Sequence, residues 1–197
     1  MSTDSAGIVR HLEGLASTAR ETADHLAADI AAVADRVIHT LATGGKLMFC
    51  GNGGSAADAQ HLAAEYVVRF AFDREALPAI ALTTDTSLLT AAANDFGFEH
   101  VFARQVAALG RTGDLLFLHS TSGRSPNLLE AARVARTRGV HTVALLAGDG
   151  GALREQVDVA LVVPTPNGAF AQALHIAIGH AICERVEAWV REQRRGP

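Results

Sequence analysis

The chain has 197 residues, 49% of them hydrophobic and 19% charged, with a net charge of −4. That suits one domain with a sizeable core and excludes a disordered chain. The mild negative charge gives no electrostatic case for wrapping nucleic acid or coating an anionic membrane, and no stretch of about 18 apolar residues is present to cross one.

Other classes fall away on residue counts. Lys46 is the single lysine, so Schiff-base chemistry has one candidate and the Walker-type P-loop pattern is absent. Cys50 and Cys183 lie far apart and form no C-x-x-C, which argues against a disulfide scaffold or a zinc knuckle. The first residues, MSTDSAGIVRHLEG, carry an early acid and no apolar run, unlike a signal peptide. The expectation is a cytoplasmic globular protein.

In chain order, residues 8–43 are Ala-rich and helix-forming. The spacing predicts two helices, over about 6–24 and about 27–43, ended by Gly44-Gly45. Lys46 to Cys50 reads as a buried strand, closed by the glycine loop Gly51-Asn52-Gly53-Gly54 and followed by a helix over about 55–70. Further short apolar runs at 78–82, 114–119, 140–146 and 158–163 read as strands. Helices are expected between them at about 86–93, 99–109, 126–138 and 150–155, and a last one over 169–193. Apolar strands alternating with helices predict an α/β fold with a doubly wound five-stranded parallel sheet. Ligands in such folds bind beyond the carboxyl ends of the strands.

Two of those ends suit a phosphate. Gly51 to Ala56 combines close backbone approach with the free N–H groups of a helix start. It also matches the dinucleotide pattern G-x-G-x-x-A, but the acid expected about 20 residues on is missing, the nearest in that context being Asp85. A plain strand-to-helix turn remains open. The second end is Ser120-Thr121-Ser122-Gly123-Arg124-Ser125, with four hydroxyls in six residues. It suits an anion cradle, or an N-cap with a polar turn.

His61 and Glu65 lie four apart on the helix after the glycine loop, on one face. They suit a divalent metal, a base with its partner, or a surface ion pair. The last helix carries Gln172, His175, His180 and Glu184, with His180 and Glu184 again four apart. His11, His25 and His39 read as solvated; His100, His119 and His141 read as structural or surface. Gln172 and His180 are about 12 Å apart along a straight helix. A metal–ligand bond is about 2 Å. One metal can take both only from a distorted first turn or from different chains, which points to a site at a subunit interface.

Taken together, CGNGGSAADAQHLAAE (Cys50–Glu65), ALTTDTSLLTAAANDFGFEHVFARQV (Ala81–Val106), HSTSGRSPN (His119–Asn127) and the Gln172…His180 helix resemble the phosphoheptose isomerases, the sedoheptulose 7-phosphate isomerase branch of the sugar isomerase (SIS) domain proteins. The resemblance spans nearly the whole chain. It implies a single SIS domain, with residues 1–44 a helical segment used in oligomer packing and residues 45–197 the α/β core.

It also implies site residues. The sugar phosphate would be bound by Asn52, Gly53, Gly54, Ser55, Asn94, Asp95, Ser120, Thr121, Ser122, Ser125, Glu65 and Gln172. Zn2+ would be held by His61, Glu65, Gln172 and His180. Glu65 and His180 would be the acid–base pair of an aldose–ketose isomerisation through an enediol. A homotetramer with interface active sites is implied, without nucleic acid or membrane partners. One segment departs: the family's Arg-Ile-Gln-Glu is Phe170-Ala171-Gln172-Ala173 here. The alternative is a non-enzymatic SIS protein, a sugar-phosphate sensor or an adaptor of the kind that binds a replication initiator. That branch lacks the acid–base pair, and Glu65 and His180 are both present here.

Overall fold

The computed structural model describes residues 5–195. Its strands are β1 (Leu47–Gly51), β2 (Ala79–Ala81), β3 (Leu115–His119), β4 (His141–Ala147) and β5 (Val159–Val163). Its α-helices are α1 (Ser5–Ala42), α2 (Gly54–Val67), α3 (Thr86–Phe96), α4 (Val101–Leu109), α5 (Pro126–Thr137) and α6 (Gly168–Arg195). The strands form one all-parallel sheet in the order β2-β1-β3-β4-β5.

Side chains of a strand alternate between faces, and here each face has its own core. Leu47, Phe49, Leu115, Phe117, Val143 and Leu145 point to the layer of α1, α2 and α6. Met48, Cys50, Leu116, Leu118, Ala144 and Leu146 point to α3, α4 and α5. Burial on both faces is why these strands read as unbroken apolar runs. Phe49 and Phe117, neighbours in register, stack with centroids 5.0 Å apart.

Three expectations need correction. Residues 5–42 form one helix rather than two, because no glycine or proline interrupts 15–43 and Asp24-His25-Leu26 continues the helical backbone. Its end is as expected: Gly44 takes φ +79°, and Gly45 N–H donates to Thr40 O at 2.8 Å. The segment expected as a helix at 150–155 is a short 3-10 turn, Ala152–Gln156, entered through Gly150 and Gly151 at positive φ. The α2 helix stops at Val67 instead of near 70, where Arg74 takes over the carbonyls of Glu65 and Tyr66.

Strand β1 leads to β2 on one side and has β3 on the other, so the order switches between β1 and β3. Gly51 and His119 end these strands in register. The glycine loop and the serine loop therefore emerge side by side, at the crevice where such sheets bind ligands. The lone lysine stands at the opposite edge: Lys46 precedes β1 and pairs with the buried Asp114 carboxylate. No helix among the described residues is long and apolar enough to cross a membrane.

Candidate active site

The two loops are joined by side chains. Asn52 Nδ2 donates to Asn127 Oδ1 at 2.9 Å, and Asn127 Nδ2 donates back to Asn52 Oδ1 at 2.8 Å. Gly53, at φ +57°, precedes the first turn of α2, and Gly53 and Gly54 are both exposed. A side chain at Gly54 would collide with the Gln172 amide, so the missing Cβ lets α6 approach the helix start. Ser55 is buried at that start.

In the serine loop, Ser120 Oγ accepts the Gly123 N–H at 3.0 Å, and Ser122 Oγ accepts the Arg124 N–H at 3.3 Å. Ser125 is the N-cap residue of α5, yet its hydroxyl makes no capping bond, and Pro126 follows. Thr121 and Ser122 face a cavity of about 360 Å³ shared with Gly148, Thr165 and Gly168. Arg124 spans the mouth to Asp149, and this pairing holds the Asp149 carboxyl below the usual carboxylate range.

Helices α2 and α6 run side by side in the same direction. Gly54 meets Gln172, Leu62 meets Gly179, and Phe70 meets Glu187. That alignment brings together residues that are distant in sequence. His61 Nε2 lies 2.8 Å from His180 Nε2 and 3.4 Å from Glu65 Oε1. The ligand atoms of His61, Glu65 and His180 all lie within 4.8 Å of one another. Two donors on a tetrahedral zinc, each about 2.0–2.2 Å from the metal, stand roughly 3.3–3.5 Å apart. Two imidazole nitrogens and one carboxylate oxygen suit zinc in donor type and leave a position open; the 3.4 Å separation matches that spacing, while the imidazole nitrogens, at 2.8 Å, stand closer and would have to part to hold one ion.

Gln172 occupies a different place. Helix α6 is continuous through it, and Gln172 Nε2 donates to Asp58 Oδ1 at 3.3 Å, one turn before His61 on α2. Phe170 of the departing segment packs edge-on against His11, centroids 4.8 Å apart, and lies over Gly14. Asn94 and Asp95 are exposed at the end of α3. The Asn94 amide donates to Asp95 Oδ1 at 2.8 Å, and no hydrogen bond among the described residues joins either to the loops.

Some neighbours escaped sequence reasoning. Asp58 is 5% exposed, its Oδ2 has no partner among the described residues, and burial raises its pKa against the opposing effects of Gln172 and His61. Its position three residues before His61 was a usable signal. Asn127 lies inside the HSTSGRSPN motif, but its role depends on Asn52, 75 residues away.

The SIS domain family model matches residues 10–147. The chain is 50% identical over 186 residues to a phosphoheptose isomerase of Roseiflexus, covering 94% of each chain. It is 57% identical over 162 residues to one of Chlorobaculum parvum, covering 81% of this chain and 78% of that one. A solved phosphoheptose isomerase from Neisseria gonorrhoeae superposes with a TM-score of 0.89 at 42% identity, over 94% of this chain and all of the other. One from Francisella tularensis gives 0.91 at 39%, over 94% and 98%. The chain belongs to the SIS-domain family, in its phosphoheptose isomerase branch, and is a sugar-phosphate isomerase.

Proposed function

We propose that the chain interconverts sedoheptulose 7-phosphate and D-glycero-D-manno-heptose 7-phosphate, with Glu65 and His180 as the acid–base pair. The observation that carries this is the convergence of Glu65, His61 and His180 between α2 and α6. The glycine and serine loops beside them suit the phosphate end. A sensor or adaptor needs the loops alone and has no use for the gathered triad.

Glu65 takes a proton from C1 of the open-chain ketose. His180 gives a proton to the carbonyl oxygen at C2, leaving an enediol. A proton then returns to C2 while the O1 hydroxyl loses its own, and C1 becomes the aldehyde. Positioned proton transfer contributes about 10²–10⁴-fold. The serine loop holds the phosphate away from the chemistry, and that remote binding energy fixes the reacting carbons. Zinc on His61, Glu65 and His180 would supply carbonyl polarisation.

Gln172 and the loop residues complete the proposal in an oligomer. Gln172 stands near the triad but on Asp58, so its place as a metal ligand calls for movement or a second chain. Ile8, Val9 and Leu12 on α1 are 65%, 50% and 58% exposed, an apolar face suited to burial in a homotetramer.

The test is turnover of sedoheptulose 7-phosphate by purified protein, before and after chelation and zinc re-addition. Turnover is expected, lost on chelation, restored by zinc and absent in Glu65→Gln, which still binds the sugar phosphate. No turnover by folded, zinc-loaded protein would remove the assignment; turnover by Glu65→Gln would remove the role of Glu65.

A further inference from the structure

Just past α2, a buried ion pair reaches both members of the acid–base pair. The side chains of Arg74 and Glu187 are 1% and 4% exposed, and Arg74 Nε donates to Glu187 Oε1 at 3.1 Å. Arg74 Nη2 donates to the carbonyl of Glu65 at 2.6 Å, and Nη1 donates to the carbonyl of Tyr66 at 2.7 Å. These are carbonyls that the last turns of a helix leave open. On the other side, Glu187 accepts the N–H groups of Phe70 and Ala71, both at 3.0 Å. The ring of Phe70 lies against the His180 imidazole, centroids 5.3 Å apart. Glu187 itself follows His180 by two turns on α6.

One ion pair thus holds the main chain of Glu65, the ring beside His180 and the helix that carries His180. We infer that Arg74 and Glu187 are positioning residues for the isomerisation, fixing the separation and orientation of Glu65 and His180. The inference rests on the proposed function, in which those two side chains move the protons.

Packing alone does not require ions here, since apolar side chains of similar volume often fill such a space with equal or greater stability. The charged pair adds direction. The guanidinium fork and the carboxylate fix six hydrogen bonds at once. Proton transfer is sensitive to misplacement on the scale of an ångström, which can cost about 100-fold. A device that sets two helices, the turn after α2 and one aromatic ring together is suited to that tolerance.

The experiment compares wild type, Glu187→Gln, Arg74→Lys and Arg74→Ala as zinc-loaded protein, at a temperature where circular dichroism shows each folded. Glu187→Gln is expected to lower kcat about 10- to 100-fold while KM stays within about twofold. Arg74→Lys, which keeps the charge but loses the fork, is expected to recover part of what Arg74→Ala loses. A kcat equal to wild type in the folded variants, or one reduced only with the folded fraction, would overturn the inference.

If those variants do not fold, Phe70→Leu carries the test, since it leaves the ion pair intact and removes only the ring beside His180. A fall in kcat without a change in KM supports positioning, and an unchanged kcat overturns it. The imidazole resonances of His180 in histidine-labelled protein give a readout independent of turnover. They are expected to shift in Glu187→Gln, and resonances fixed at their wild-type positions would again overturn the inference. A wild-type protein that turns over no sugar phosphate would defeat the proposed function instead, and the His180 resonances would still decide the positioning.

Discussion

Gly179 on α6 faces Leu62 on α2 so closely that a Cβ at 179 would stand 2.5 Å from Leu62 Cδ2 and 2.8 Å from Cδ1. Leu62 is 2% exposed and follows His61; Gly179 precedes His180. The contact that sets the helix spacing is therefore one residue away from the 2.8 Å approach of the two imidazoles. Gly179→Ala is expected to force α2 and α6 apart and to separate His61 from His180. Overpacking of this kind costs about 1–3 kcal/mol. Turnover is expected to fall at least tenfold, and Leu62→Ala in the same chain is expected to restore part of it by making room. Activity unchanged in Gly179→Ala would show that the helices yield without disturbing the site.

The imidazole pair carries its own expectation. With Nε2 atoms 2.8 Å apart, one ring must donate and the other accept. A divalent cation relieves that constraint by taking both lone pairs. His61→Gln and His180→Gln are each expected to weaken zinc binding at least tenfold in competition with a chromophoric chelator, while unfolding in chelator stays close to wild type. Equal zinc affinity in wild type and both variants would place the metal elsewhere.

Much of this site is legible in the amino-acid sequence. The Gly51–Ser55 and Ser120–Ser125 loops stand out because strand, loop and helix start follow one another locally, and the five strands stand out because both sheet faces are apolar. His61 and Glu65 share a face by helical spacing alone. The sequence does not pair α2 with α6, since that depends on contacts such as Leu62 with Gly179 across more than 100 residues. The end of α2 is hidden for the same reason. It is set by Arg74 together with Glu187, 113 residues away. Two helices are expected where α1 is one, because the apolar spacing weakens near Asp24 while the backbone meets no breaker.

The Asn52–Asn127 amide pair predicts a binding defect rather than a chemical one. Asn127 is 2% exposed, and its two bonds to Asn52 hold the glycine loop against the start of α5. Asn127→Leu fills the space but leaves the Asn52 amide unsatisfied, at a cost of about 1–3 kcal/mol. The glycine and serine loops lose their link. KM for the sugar phosphate is expected to rise about tenfold with kcat changed less, and the unfolding midpoint is expected to fall. A wild-type KM would show that the two loops are held independently of this pair.

The buried histidines give the chain a pH-dependent stability. His119 ends β3 with no exposure, and neither ring nitrogen has a partner among the described residues. Burial, and then the nearby His175, push its pKa down to about 3. Burial lowers His175 as well, partly offset by its bond to the Leu146 carbonyl. The unfolded chain takes up a proton at each ring near pH 6.5, whereas folded His119 stays neutral until about pH 3. Between those values the unfolded state binds more protons, so the folded state loses stability as the pH falls. The loss is about 1.4 kcal/mol per pH unit for one such histidine well below pH 6.5. Above about pH 7 both states are neutral and the effect vanishes. Urea unfolding of wild type and His119→Leu at pH 7.5, 6.5, 5.5 and 5.0 tests this. The wild type is expected to lose stability faster than the variant below pH 6.5, by a difference approaching one proton, and the two are expected to run parallel above pH 7. Parallel behaviour across the whole range would mean that His119 takes up its proton in the folded protein as readily as in the unfolded chain.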